Sequence, residues 1–150
     1  MTDAGEVLNS ITDQVIGAAM AVHSALGPGL LESAYEACLE RELQQLGLRV
    51  ERQVGMPVVY RGAKLECGYR MDLLVEGLVV VEVKAVSEVL PVHAAQLLSY
   101  LRLSRRHVGL LLNFDVARMR NGVRRVVNDF PDSAGLSAAS ALAVPEKEVS

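Results

Sequence analysis

Cysteine is scarce in this 150-residue chain, and its two copies, Cys38 and Cys67, lack metal-ligand spacing. A zinc site or a disulfide framework is therefore not expected. The two are read as reduced thiols, in the core or near the surface, of a cytoplasmic protein. No apolar run approaches the roughly 20 residues needed to span a bilayer. The N-terminal MTDAGEV has no basic segment followed by an apolar one, so no secretory signal is expected. A positive balance is missing too: 15 Lys and Arg against 18 Asp and Glu leave a net charge of −3, which does not advertise a nucleic-acid binder. No internal repeat is visible. What remains is ordinary for one globular domain, with 51% hydrophobic and 22% charged residues. The length suffices to bury a core without cross-links.

The layout follows from periodicity and breakers. Val7, Ile11, Val15, Ala18, Ala19 and Val22 are spaced like one helical face, which predicts a helix from Glu6 to about Leu26. Gly27-Pro28-Gly29 breaks the chain. A second helix is expected from about Leu30 to Leu46, with Leu31, Ala34, Tyr35, Cys38, Leu39 and Leu46 inward and Gly47 as its stop. Three strands follow, about Arg49 to Tyr60, Leu65 to Val75 and Leu78 to Val86, with Arg61-Gly62 and Glu76-Gly77 as turns. Pro91 opens a third helix running to about Arg105. His107 to Phe114 reads as another apolar strand, with Val123 to Val127 as its partner. From Pro131 onward, small residues and a charged end suggest a poorly ordered tail. The expected domain thus covers residues 1–130, with 131–150 as the tail.

Asp72, Glu82 and Lys84 stand out against this background. Val79, Val80, Val81, Val83 and Val86 describe a buried strand, yet Glu82 and Lys84 sit inside it, two apart and so on one face. Buried charges cost several kcal/mol each unless paired or metal-bound. One reading is a structural ion pair at a strand end. The other is a metal-dependent site that cleaves phosphodiesters. A second group lies on the helices. Glu32 and Tyr35 share a face in the first turn after Gly29, although the helix dipole alone favours a glutamate there. His93, Gln96 and Tyr100 make one polar stripe beside Ala94, Leu97, Leu98 and Leu101. His93 is read as structural or peripheral.

Taken together, Gly29-x-x-Glu32-x-x-Tyr35, Asp72 with Glu82-Val83-Lys84, and Gln96-x-x-x-Tyr100 resemble the GxxExxY proteins, a branch of the PD-(D/E)XK nuclease-like superfamily. The resemblance covers roughly residues 6 to 130. Met71 stands where the proline of that signature would be. What the resemblance implies is an α/β fold with a restriction-endonuclease-like core, a mixed central sheet flanked by helices in the order ααβββαββ. The implied activity is Mg2+-dependent (or Mn2+-dependent) hydrolysis of DNA or RNA. Asp72 and Glu82 would be carboxylate ligands, the Val83 carbonyl a third oxygen, and Glu32 a holder of metal waters or of a second ion. Lys84 would orient or deprotonate water, or stabilise phosphate charge. Gln96 and Tyr100 would bind phosphate or position Lys84. Gly29 and Tyr35 would be structural members of the motif.

Seven arginines lie between Arg102 and Arg125, against the single acid Asp115. They form either a solvated face or a phosphate-binding patch, with Arg102, Arg105 and Arg106 as candidate contacts. Nucleic acid is the expected partner, no membrane is, and a homodimer is expected as the commonest assembly. Two other functions stand beside the nuclease: a catalytically silent nuclease-like fold that binds nucleic acid or protein, and a metal-dependent enzyme acting on a smaller phosphate ester. The nuclease reading makes a geometric demand. A two-residue turn at Glu76-Gly77 would put Asp72 and Glu82 on opposite faces of the sheet. A three-residue turn with Gly77 left-handed, pairing Val75 with Val79, or a bulge near Asp72, would bring them together.

Overall fold

The computed structural model describes residues 3–131; the expected tail therefore lies almost wholly outside the described residues. The element order is α1 (Ala4–Leu26), α2 (Glu32–Gln45), β1 (Val50–Tyr60), β2 (Ala63–Val75), β3 (Val79–Lys84), α3 (Pro91–Ser104), β4 (Val108–Asn113), a 3-10 turn at Met119–Gly122, and β5 (Val123–Val127). The five strands form one mixed sheet in sequential order. β3 and β4 are parallel, joined through α3, and the other neighbours are antiparallel. This is the expected α/β architecture, consistent with a restriction-endonuclease-like core. No described helix is long and apolar enough to cross a membrane.

Each helix has local reasons for its limits. The Asp3 carboxylate accepts the Glu6 N–H and opens α1, and Gly27, at φ 70°, closes it. Pro91 sets the first turn of α3, where the His93 Nδ1 accepts the Leu90 N–H at 3.0 Å. The structural reading of His93 matches that bond.

The sheet is covered on both faces. Ile11, Val15 and Val22 of α1, with Tyr35, Leu39 and Leu43 of α2, pack against Leu73, Val75, Val79, Val81, Val83, Leu110 and Leu112. On the other face, Ala94, Leu97, Tyr100 and Leu101 of α3 pack against Met56, Met71, Leu74, Val80, Leu111 and Val126. Away from one break in β1 and β2, successive strand residues alternate between these two layers, as the pleat requires.

Several expected inward positions are corrected. Leu31 is 77% exposed and Leu46 50% exposed, because α2 begins only at Glu32 and ends at Gln45, leaving both beyond the packed turns. Cys38 and Cys67 are both exposed. The buried stripe of α2 is instead Tyr35, Glu36, Leu39 and Leu43, which turns Cys38 outward. On α1, Leu8 lies in the core while Val7 is 38% exposed. The third strand is shorter than expected: Leu78 belongs to the turn, and Ala85 and Val86 lie past its end.

Candidate active site

The β2–β3 connection has the offset that the carboxylates need. Val75 pairs with Val79, Leu74 with Val80 and Leu73 with Val81, around a turn at Glu76, Gly77 and Leu78. Glu76 (φ 55°) and Gly77 (φ 65°) are both left-handed, and the Leu78 N–H closes the turn on the Val75 carbonyl at 3.0 Å. Counting on along this register sets Asp72 across from Glu82.

At that point β2 leaves regular pairing. The β1–β2 ladder pairs Arg52 with Leu73 and Val54 with Met71, but passes over Gln53 and Asp72. Gln53 is left-handed, at φ 55°. On the inner side of this break, Val50, Leu73 and Val75 belong to the α1–α2 layer; on the outer side, Val54, Met56 and Met71 belong to the α3 layer. Both strands therefore swap sides together, and the register between them is kept.

The break lets Asp72 act in the plane of the sheet. Its Oδ2 accepts the Val83 N–H at 2.8 Å, the place a β2 carbonyl would take had the ladder continued. In return, the Asp72 N–H donates to Glu82 Oε2 at 3.2 Å. In an extended strand the N–H and C=O of one residue point to the same side, so the Val83 carbonyl is directed to the edge that Asp72 occupies. Lys84 is half-buried, two residues beyond Glu82 and on the same face. The Lys84 carbonyl accepts the Phe114 N–H on the β4 side.

Burial dominates the electrostatics. It pushes the Glu82 carboxyl up to about 8, and the Asp72 charge adds to the effect, while the Asp72 N–H and Lys84 oppose it. Asp72 is raised as well, again by burial first, with the Val83 N–H countering. Tyr100, on α3, is raised by burial and then by the Glu82 and Asp72 charges, so its hydroxyl lies within their field. Its ring also meets Tyr69 of β2, with centroids 6.0 Å apart.

The helices bring the other expected residues to different places. The Tyr35 hydroxyl donates to the Gly27 carbonyl and accepts the Leu30 N–H, and its buried ring stacks on Phe114 at 4.6 Å. This ties down the Gly27-Pro28-Gly29 loop, where Gly29 is left-handed at φ 104°, and sets the first turn of α2. Glu32, in that turn, accepts the Ala85 N–H at 3.2 Å, at the end of β3 and just past Lys84. Gln96 is exposed on α3, one turn before Tyr100. Arg106 lies at the other end of the β2–β3 hairpin, where its Nε donates to the Gly77 carbonyl at 2.9 Å. Arg102 and Arg105 are exposed nearby, at the end of α3.

Sequence reasoning missed three residues. Glu36 is buried, bonded to Arg52 Nε at 2.7 Å and to the Gln53 amide at 3.0 and 3.2 Å. The same Gln53 amide reaches Asp72 Oδ1 at 3.3 Å. Asn113, buried at the end of β4, clips both backbone groups of Val86 and so holds the segment after Lys84. Helical spacing places Glu36 beside Tyr35, but nothing local marks its partners. Gln53 carries no local signal at all.

Among the described residues, no three His, Cys, Asp or Glu side chains are gathered closely enough to form a metal cluster. A hard cation such as Mg2+ does not require one, since it binds one or two carboxylates and keeps several waters. Asp72, Glu82 and the Val83 carbonyl fit that demand as an all-oxygen set. Two raised carboxylates with Lys84 as the one cationic group opposing them are compatible with a site that takes a cation.

No curated protein and no solved structure matches the chain. A family model does, over residues 9–126, which takes in most of α1, all of α2, α3 and β1 to β4, and the carboxylates of Glu32, Glu36, Asp72 and Glu82; the chain belongs to the PD-(D/E)XK nuclease superfamily.

Proposed function

We propose that the chain is a metal-dependent nuclease of the GxxExxY branch, hydrolysing phosphodiester bonds of DNA or RNA. The observation that carries this reading is the reciprocal lock at the β3 edge. The Asp72 carboxylate sits on the Val83 N–H, and Glu82 on the Asp72 N–H, with both acids raised by burial. A structural ion pair would match each acid with a cation. Here the half-buried Lys84 acts on both acids only through its field.

Asp72, Glu82 and the Val83 carbonyl would hold Mg2+ or Mn2+. A bound divalent cation would supply Lewis-acid polarisation of the phosphoryl group and an acidified water. The protein's own part is positional. Val83 and Gln53 fix the Asp72 carboxylate. Lys84, next to the acids on the strand, would orient the attacking water or neutralise charge on the phosphate. Glu32, anchored on Ala85, would hold water at the end of β3. Tyr100, within the field of both acids, would bind the phosphate or steady Lys84, with Gln96 one turn away.

The test is incubation of pure protein with single-stranded, duplex and branched DNA and RNA, in Mg2+ or Mn2+ against EDTA. Cleavage that needs the cation and vanishes in Asp72→Ala supports the proposal. Intact substrates under every condition would overturn it. The active form is expected to be a homodimer, and light scattering at the monomer mass of 16.2 kDa would show otherwise.

A further inference from the structure

Gln53 is an odd residue for its place. It sits in a strand, yet its backbone is left-handed at φ 55°, a conformation that is unfavourable for any side chain with a Cβ and free for glycine. Such outliers persist where the surroundings over-determine them, and they cluster at functional sites. The surroundings here are specific. The Gln53 amide nitrogen donates to both oxygens of Glu36, at 3.2 and 3.0 Å, and to Asp72 Oδ1, at 3.3 Å. Glu36 is buried and anchored in turn by Arg52 at 2.7 Å.

We infer that Gln53 is a positioning residue for Asp72, setting its carboxylate for the cation from an anchor on Glu36. Three features support this. Asp72 is held from both sides, Oδ2 by the Val83 N–H and Oδ1 by Gln53, so removing the amide frees one oxygen to turn. The amide is a neutral donor standing between two carboxylates, the buried Glu36 and the half-buried Asp72, and it binds both without adding charge beside them. Finally, the left-handed turn lies at the one place where both strands change sides, so the backbone that swings Asp72 into the sheet plane also delivers the amide to it. Partners of this kind, behind a metal ligand, typically alter metal affinity by 10–100-fold when removed.

The inference rests on the cation-site reading, and the experiment separates the two. Mn2+ is titrated by calorimetry and by thermal melting into wild type, Gln53→Gly, Gln53→Met and Asp72→Ala. Glycine relieves the left-handed backbone and removes the amide; methionine keeps the side-chain length and the backbone demand and removes the amide alone. Both Gln53 variants are expected to melt within a few degrees of wild type without metal, yet to bind Mn2+ about tenfold or more weakly. On a nucleic-acid substrate, kcat should fall with KM little changed, since Gln53 is placed on Asp72 and not on substrate. Wild-type Mn2+ affinity in both variants would overturn the role of Gln53 and leave the cation site standing. Absence of Mn2+ binding in wild type would overturn both. If Gln53→Gly fails to fold, Gln53→Met alone decides, because it leaves the backbone demand unchanged.

Discussion

The β2–β3 hairpin has a closed end and an open end, and they treat charge in opposite ways. At the closed end Glu76 is half-buried, and its Oε2 accepts the Arg49 N–H at 2.6 Å. The Glu76 N–H returns to the Arg49 carbonyl at 2.8 Å, and Arg106 holds the Gly77 carbonyl. Every group there has a partner and access to water. At the open end, roughly 13 Å away along the strands, Asp72 is half-buried and Glu82 buried, and their donors are backbone N–H groups and one amide. The closed end fixes register. The open end holds an electrostatic cost that the register makes unavoidable, since the same offset that pairs Val75 with Val79 brings the two acids together.

The sharpest way to break this contrast is to remove an acid at the open end. Asp72→Ala should reduce Mg2+-dependent or Mn2+-dependent cleavage to background and abolish the rise in melting temperature that millimolar cation gives wild type. A cation-induced rise that survives the substitution would mean that the open end is not the binding site.

The next effect is a pH dependence of stability. The Glu82 carboxyl is about 8 in the folded chain, against 4.5 as its ordinary value. Between those values the folded state holds a proton that the unfolded state has released. Its contribution is fully present below about 4.5 and is lost as pH rises through about 8. Asp72, raised for the same reason, acts in the same direction. Metal-free protein should therefore lose stability, on the order of a few kcal/mol, from about pH 5 to pH 8. Saturating Mg2+ should flatten that slope, and Glu82→Gln should remove most of it. Denaturant melts at a series of pH values would show this, and a flat profile for metal-free wild type would contradict it.

The closed end should respond differently. Arg106→Ala removes the bond to Gly77 and should cost about 1 kcal/mol, with the cation response unchanged. The smallest effect is expected from Arg102→Gln with Arg105→Gln. It should leave stability within about 0.5 kcal/mol and lower the salt slope of nucleic-acid binding by roughly one per residue. An unchanged slope would confine nucleic-acid contact to other surfaces.

Much of this molecule is legible before folding, for local reasons. The valine run of β3, the Gly27-Pro28-Gly29 break and Pro91 each act through their own backbone preferences, so element order and type follow from them. Asp72, Glu82 and Lys84 stand out because charge interrupts an apolar strand. The turn offset is readable because a two-residue alternative separates the acids. What is not legible depends on partners distant in sequence. Glu36 looks like a solvated helix residue until Arg52 and Gln53 are brought to it from β1. Its burial turns the α2 stripe, which is why Cys38 faces out. The left-handed Gln53 lies in an Arg-Gln-Val stretch that signals only a strand. The 3-10 turn at Met119–Gly122 is too short for any period to show.

The paired break at Gln53 and Asp72 also limits how the hairpin can change length. Each strand shifts its alternation by one residue there, and the shifts cancel only because they coincide. Deleting one residue from β1 near this point would leave β2 shifted alone, and every outer β1 side chain would face the wrong layer. Tolerated insertions and deletions should therefore arrive as matched pairs, one in each strand. A designer who copied uniform alternation through both strands would place Val54 and Met71 under α1 and α2, where the layer is already full, and strip α3 of the contacts that seat Tyr100 beside the acids.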